Sequence, residues 1–197
     1  QLSEIEPNVT GVSGLYSPNT GIVDYIKVAE SFASNIIKGD AEILTDCRVR
    51  EIVSKKQNIS LETTKGVIES RSIINCAGLH ADDIASKMGV DMDVRIIPFR
   101  GEYYTVKPRE SIFIRGLIYP VPDPKFPFLG VHFTKRIDGS IEAGPNAVLA
   151  FAREGYKKTD FDIKEIFGLL GYSGFWYMSF KYWKMGLDEQ MRSISKK

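Results

Sequence analysis

Apolar positions recur along this chain with two periods, and the switches between them divide it into segments. Residues 1–23 have no period: Pro7, Gly11, Gly14, Pro18, Asn19 and Gly21 punctuate a loop-like stretch. Asp24 then precedes Tyr25, Val28, Ala29, Phe32, Ile36 and Ile37, and Gly39 follows. A short polar residue, an apolar stripe at three- and four-residue spacing and a closing glycine predict a helix between Asp24 and Gly39. After it the period falls to two. Ala41–Leu44 and Cys47–Ser54 are strand candidates, Lys55-Lys56-Gln57-Asn58 turns the chain, and Ile59–Thr63 returns it. Lys65-Gly66 then makes a tight turn into Val67–Ser70. Short alternating runs joined by short turns predict an antiparallel meander. Ser72-Ile73-Ile74-Asn75-Cys76-Ala77-Gly78 is more continuously apolar and reads as a buried strand of a parallel sheet. A short helix is expected over Leu79–Met88, ending at Gly89.

Beyond Asp91 the candidates are strands again: Val94–Phe99, Glu102–Lys107, Leu117–Tyr119, Phe128–Thr134 and Ser140–Ala143. Five strands with no helix between them predict a mostly antiparallel sheet. Helical spacing returns with Ile163, Ile166, Phe167 and Leu170. Phe175–Lys184 is crowded with aromatic side chains, and Met191–Lys197 reads as a frayed, basic end. No internal repeat or low-complexity segment is visible. The order predicts an α+β (mixed α/β) fold in two domains.

Composition narrows the function. The 197 residues are 43% hydrophobic and 26% charged, an ordinary balance for a chain with a core. Formal net charge is +1, so charge gives no reason to expect nucleic acid as a partner. Cys47 and Cys76 form no CxxC pair and sit in apolar, strand-like surroundings, which predicts buried free thiols in a reducing compartment. Two histidines, His80 and His132, exclude a His-rich metal site, and no metal is expected. The sequons at Asn8 and Asn58 carry little weight without a signal peptide. No apolar run is long enough to span a bilayer. The opening Gln1-Leu2-Ser3-Glu4-Ile5-Glu6-Pro7 has no initiator Met and no leader character, and reads as the middle of something longer or as a trimmed chain.

Six local strings stand out. They are Glu6-Pro-Asn-Val-Thr-Gly11; Gly21-Ile-Val-Asp24; Asn75-Cys-Ala-Gly-Leu79; Pro98-Phe-Arg-Gly-Glu-Tyr103; Tyr119-Pro-Val-Pro-Asp-Pro124 with Phe126-Pro-Phe-Leu-Gly-Val-His-Phe-Thr134; and Asp138-Gly-Ser140 with Gly144-Pro-Asn-Ala147. In this order and spacing the chain resembles the L-2-hydroxyglutarate oxidase/dehydrogenase branch of the D-amino-acid-oxidase superfamily of flavoproteins. The similarity runs from residue 1 to about 160 and is weaker beyond. It implies two domains. Residues 22–90 would be the second part of an FAD-binding, Rossmann-like domain with its meander. Residues 1–21 and 91–197 would form a substrate domain of antiparallel sheet plus helices. It also implies oxidation of a 2-hydroxyacid, foremost L-2-hydroxyglutarate to 2-oxoglutarate, with hydride passing to flavin N5. The chain departs from the family pattern in two places. It has no G-x-G-x-x-G turn, which lets a backbone approach a dinucleotide pyrophosphate, and no acidic ribose partner after it. The family's flavin-closing C-terminal stretch is not recognisable after about residue 185. The competing reading is a non-catalytic remnant, or one half of a split flavoenzyme, unable to bind FAD alone.

Each candidate residue has a plainer reading beside it. Val49, in the first meander strand, is where the superfamily's backbone meets the adenine; strand valines are otherwise packing. Ala77 and Gly78 end the buried-strand candidate, the usual side for ligands of open α/β sheets, or form an ordinary turn. Arg100 could hold a substrate carboxylate bidentately, or pair with Glu102. Tyr103 and Tyr119 offer hydroxyls to substrate, or pack half-buried on the sheet. His132 interrupts an apolar strand, and oxidising a 2-hydroxyacid needs a base for the hydroxyl proton; histidine suits that task. Its alternative is a hydrogen-bonded core residue. Asn146, after Gly144-Pro145, suits either a ligand hydrogen bond or a turn. Phe175, Trp176, Tyr177, Phe180, Tyr182 and Trp183, with Lys181 and Lys184, suit either packing on the sheet or a membrane and quinone contact. The expected setting is the cytoplasm, with the inner membrane face as the second option. A partner chain or a second copy is left open.

Overall fold

Asp24 begins the longest helix that the period announces. In the computed structural model its Oδ1 accepts hydrogen bonds from the Ile26 and Lys27 amides at 3.0 and 3.4 Å. The model describes residues 2–55, 58–111, 114–122, 124 and 130–194, so part of the strand expected over Phe128–Thr134 lies outside the described residues. In chain order the elements are α1 (Leu2–Ile5), α2 (Tyr25–Lys38), β1 (Val49–Ser54), β2 (Ile59–Thr63), β3 (Gly66–Ser70), a 3-10 turn (Gly78–His80), α3 (Ala81–Lys87), β4 (Phe99–Thr105), α4 (Pro108–Ser111), β5 (His132–Lys135), β6 (Ile141–Leu149), α5 (Ile163–Leu170) and α6 (Ser173–Ile194). The strands form two antiparallel three-stranded sheets, ordered β1-β2-β3 and β4-β6-β5. The fold is mixed α/β, as the period switches predict.

The chain divides into two compact units. The first comprises residues 1–34, 100–148 and 184–197, and the second residues 35–99 and 149–183. In the first, β6 is the central strand. Ile141 and Val148 on it are almost fully buried. Val106 N–H donates to the Ile141 carbonyl at 2.8 Å. On the other side the β5–β6 register runs from Lys135 opposite Ile141 to His132 opposite Gly144. Ile118 makes an isolated antiparallel bridge to Phe133 across the free edge of β5. The buried Glu6 carboxylate, just after α1, ties down the 115–116 backbone, accepting from the Arg115 and Gly116 amides at 3.1 and 2.6 Å.

The second unit contains the meander. Val49 faces Thr63, Ile52 faces Leu61, and Thr63 faces Gly66 across a two-residue turn. Gly66 has φ +121°, a conformation that glycine adopts without steric cost. Asp82, at the start of α3, accepts from the Ile96 amide at 3.1 Å and from both terminal nitrogens of Arg153. Asp162 caps α5, accepting from the Lys164 and Glu165 amides at 2.8 and 3.1 Å.

Five expectations need correction. Ser72–Gly78 is not a buried strand: residues 72–77 form no ladder, Gly78 opens the 3-10 turn, and Ile74 is 88% exposed. A strand exists only where a neighbour meets its donors and acceptors, and none of the described strands lies against this segment. Ala41–Leu44 is likewise unpaired, and the candidate at Val94–Phe99 becomes ladder only from Phe99. The thiols are not buried: Cys47 is half-buried two residues before β1 begins, and Cys76 is exposed in the unladdered 72–77 stretch, both free. Finally, α6 stays helical to Ile194 instead of fraying at Met191, with one break at Tyr182 (φ −117°, ψ 18°). Glu189 and Arg192, three apart on this last turn, form an ion pair at 3.1 Å.

Candidate functional site

The first unit gathers its unusual polar groups at one end of the β6 ladder. His132 opens β5 opposite Gly144 and is only 7% exposed. The Ile118–Phe133 bridge is a pair that exchanges both backbone hydrogen bonds, at 3.0 and 2.9 Å. The next pair along, Tyr119 with His132, is therefore a close non-hydrogen-bonded pair. The rings accordingly stack, with centroids 4.4 Å apart and planes 22° from parallel. Tyr103, from β4, meets the same imidazole edge-on at 6.4 Å. Gly144 makes that approach feasible: a Cβ there would lie 2.6 Å from Tyr103 Cδ1 and 2.9 Å from the Glu102 carbonyl oxygen.

The imidazole has a defined tautomer. His132 Nδ1 lies 3.2 Å from the Gly130 carbonyl oxygen. A carbonyl only accepts, so Nδ1 carries a hydrogen, and Nε2 is the nitrogen left to accept one. Partial burial pushes the Tyr103 hydroxyl pKa upward, with further repulsion from the Glu142 carboxylate and from Tyr119. Tyr103 therefore keeps its proton at neutral pH and stays a hydrogen-bond donor. Asn146, two residues past Gly144, is also 7% exposed. Its amide nitrogen donates to the main-chain carbonyl of Glu189 at 2.8 Å. The Glu189 side chain accepts from the Ala147 amide at 3.0 Å.

Of the residues expected from sequence, His132, Tyr103 and Tyr119 come together, and Asn146 stands one step along the strand. Arg100 is not in that cluster. Alternation along β4 puts it with Glu102 on the face opposite Gly101 and Tyr103. There Arg100 Nη2 pairs with Glu102 Oε1 at 2.8 Å, both side chains being largely covered. The cofactor candidates belong to the second unit. Val49 is half-buried, at the start of β1. Ala77 and Gly78 are exposed at the 3-10 turn, braced by Asn75, whose Oδ1 accepts from the Ala77 amide at 3.2 Å. Gly78 has φ +53°, and no atom lies within 4 Å of where a Cβ would stand. Exposed main chain with open space beside it fits the edge of a flat or extended cofactor. Among the described residues, no group of three or more His, Cys, Asp or Glu is placed to hold a metal ion. No described helix is long and apolar enough to cross a membrane.

Glu189 and Gly144 were not expected as site residues. Glu189 acts largely through its main-chain carbonyl, which no sequence motif records. A glycine beside a proline at a strand centre was the available signal for a close approach at Gly144.

The cluster is thus a buried histidine stacked on Tyr119 and met edge-on by Tyr103 at one end of an antiparallel sheet. The chain belongs to the DAO family: a family model described as FAD dependent oxidoreductase matches residues 1–170. Similar proteins include an L-2-hydroxyglutarate dehydrogenase of Indibacter alkaliphilus, 45% identical over 198 residues, covering 100% of this chain and 50% of that protein. One from Escherichia coli K12 is 40% identical over 197 residues, covering 100% of this chain and 47% of its own length. The human mitochondrial L-2-hydroxyglutarate dehydrogenase is 40% identical over 204 residues, covering 98% and 44% respectively. The chain thus spans about half the length of the curated relatives it matches. Among solved structures, L-proline dehydrogenase from P. horikoshii overlays 73% of this chain and 37% of its own, with TM-score 0.50 and 16% identity, a likeness of fold.

Proposed function

We propose that this chain forms the substrate-handling part of an FAD-dependent dehydrogenase that oxidises L-2-hydroxyglutarate to 2-oxoglutarate. The observation that carries this reading is the His132 tautomer: Nδ1–H held by the Gly130 carbonyl leaves Nε2 as an acceptor in a buried, aromatic-walled position. The long identity to L-2-hydroxyglutarate dehydrogenases over the whole chain supports the substrate.

The residues then divide the work. His132 Nε2 takes the alcohol proton as the C2–H bond breaks and C2–O becomes a carbonyl. Tyr119 and Tyr103 hold the imidazole plane, and the protonated Tyr103 hydroxyl supplies a donor. FAD, when bound, supplies the acceptor for the hydride leaving C2. Val49, Ala77 and Gly78 are the residues proposed to hold part of that cofactor, in residues 22–90, with residues 1–21 and 91–197 as the substrate domain. Arg100, paired with Glu102 on the face of β4 away from Tyr103, is given no substrate contact in this reading. The exposed aromatics of α6 are proposed to meet a quinone or a membrane surface, and the chain to associate with a partner chain or a second copy.

Calorimetric titration tests the substrate class. L-2-hydroxyglutarate is expected to bind, and L-lactate, which lacks the second carboxylate, to bind at least about tenfold more weakly. Equal affinity for the two would overturn the dicarboxylate reading.

A further inference from the structure

Asn146 carries an unmet hydrogen-bonding demand. Its nitrogen donates to the Glu189 carbonyl at 2.8 Å. Because that carbonyl only accepts, the amide cannot be turned over without setting oxygen against oxygen. Asn146 Oδ1 is thereby fixed as an acceptor, and it is buried with no hydrogen-bond partner. Buried polar atoms are rarely left so, and an unanswered acceptor at a candidate site points to a ligand that donates.

The position of Asn146 relates it to His132. His132 and Gly144 form the last pair of the β5–β6 ladder, and Asn146 lies two residues beyond that pair on β6. Glu189 braces this end of β6 beyond the last β5 pair, accepting from the Ala147 amide at 3.0 Å. Arg192 in turn pairs with the other oxygen of the Glu189 carboxylate at 3.1 Å.

Both side chains are oriented by a main-chain carbonyl, Gly130 for His132 and Glu189 for Asn146. Both therefore present acceptors. We infer that Asn146 Oδ1 and His132 Nε2 together form an acceptor-only pair that selects a C2 alcohol over a C2 ketone. Asn146 is then a specificity-determining residue, and Glu189 the positioning residue that aims it. The alcohol O–H can be shared between the two acceptors. Only the imidazole can keep the proton, so Asn146 orients the hydroxyl and His132 removes it. The oxo product has a C2 oxygen that only accepts, and it meets two lone pairs instead of a donor. Substrate binding is favoured and product release is assisted, which is discrimination by an unpaired polar group.

The inference rests on the substrate reading above, and one set of titrations separates the two. Dissociation constants for L-2-hydroxyglutarate, 2-oxoglutarate and L-2-methoxyglutarate are measured on the unaltered protein by calorimetry. The alcohol is expected to bind at least about tenfold more tightly than the ketone or the methyl ether. Asn146→Leu should reduce that ratio several-fold with little change in ketone affinity, and Asn146→Leu with His132→Ala should bring it near one. Equal affinity of the unaltered protein for alcohol and ketone overturns the inference and leaves the substrate reading standing. So does an undiminished ratio in a folded Asn146→Leu variant. Failure of all three ligands to bind overturns both. The comparison of ligands on the unaltered protein needs no substitution, so a variant that fails to fold does not remove the test.

Discussion

At the scale of single residues, the site depends on which atoms are held by the backbone. His132 was legible in the sequence because it interrupts an apolar run, and a polar residue in such a place needs a reason. Its tautomer was not legible, since that is set by the Gly130 carbonyl two residues away. Glu189 was invisible for the same reason: it holds Asn146 by a main-chain oxygen 43 residues distant in sequence. Gly144 carries the first prediction. A methyl group there would meet Tyr103 and the Glu102 carbonyl well inside van der Waals contact, and backbone cannot yield as a flexible side chain can. Gly144→Ala should destabilise the fold by about 1–3 kcal/mol in urea denaturation. An unchanged midpoint would mean that β4 and β6 can move apart freely. Arg100 carries the second. Its pair with Glu102 lies on the face of β4 away from Tyr103, so Arg100→Met should leave KM for L-2-hydroxyglutarate within about twofold of the unaltered value in steady-state kinetics.

At the scale of elements, the periods identified what local chemistry decides. The cap at Asp24, the meander with its Gly66 turn and the helix after Asp162 all form with their expected type, because each is specified by neighbours in sequence. Asp162→Ala should cost about 1 kcal/mol, measured by thermal or urea unfolding, through loss of two amide hydrogen bonds at the start of α5. Ser72–Gly78 was misread for the opposite reason. An apolar run records that a strand would be buried if paired, but not whether a partner is there. The exposed apolar residues of α2, among them Tyr25, Phe32 and Ile37, follow the expected stripe without the burial that normally accompanies it.

At the scale of the whole molecule, stability and cofactor binding are the properties to test. In the second unit, burial alone would raise the Asp82 pKa, but hydrogen bonds from Arg153 and the Ile96 and Asp83 amides, with the Arg153 charge, outweigh it. They hold the carboxyl at about 2, below its ordinary 3.8. A depressed folded-state pKa contributes stability that is present above the unfolded value and lost as pH falls through the folded one. Stability should therefore drop by roughly 2 kcal/mol between about pH 4 and pH 2 on account of this group. Arg153→Met should abolish that part of the pH dependence, and should itself destabilise at neutral pH because it leaves Asp82 covered and unpaired. Urea midpoints across this range measure both effects. The Gly78 edge fits part of a cofactor site, yet the sequence contains no G-x-G-x-x-G turn. This chain alone should consequently hold FAD weakly, so that little flavin absorbance stays with it through gel filtration.

The central claim is that His132 removes the alcohol proton during oxidation of L-2-hydroxyglutarate. Its most direct test is anaerobic mixing of that substrate with a flavin-loaded enzyme of the relatives' full length that carries this sequence, following the loss of oxidised-flavin absorbance with His132 intact and as His132→Ala. The account predicts fast bleaching in the first and a rate lower by about 10²–10⁴-fold in the second. Bleaching at the unaltered rate in His132→Ala would contradict it.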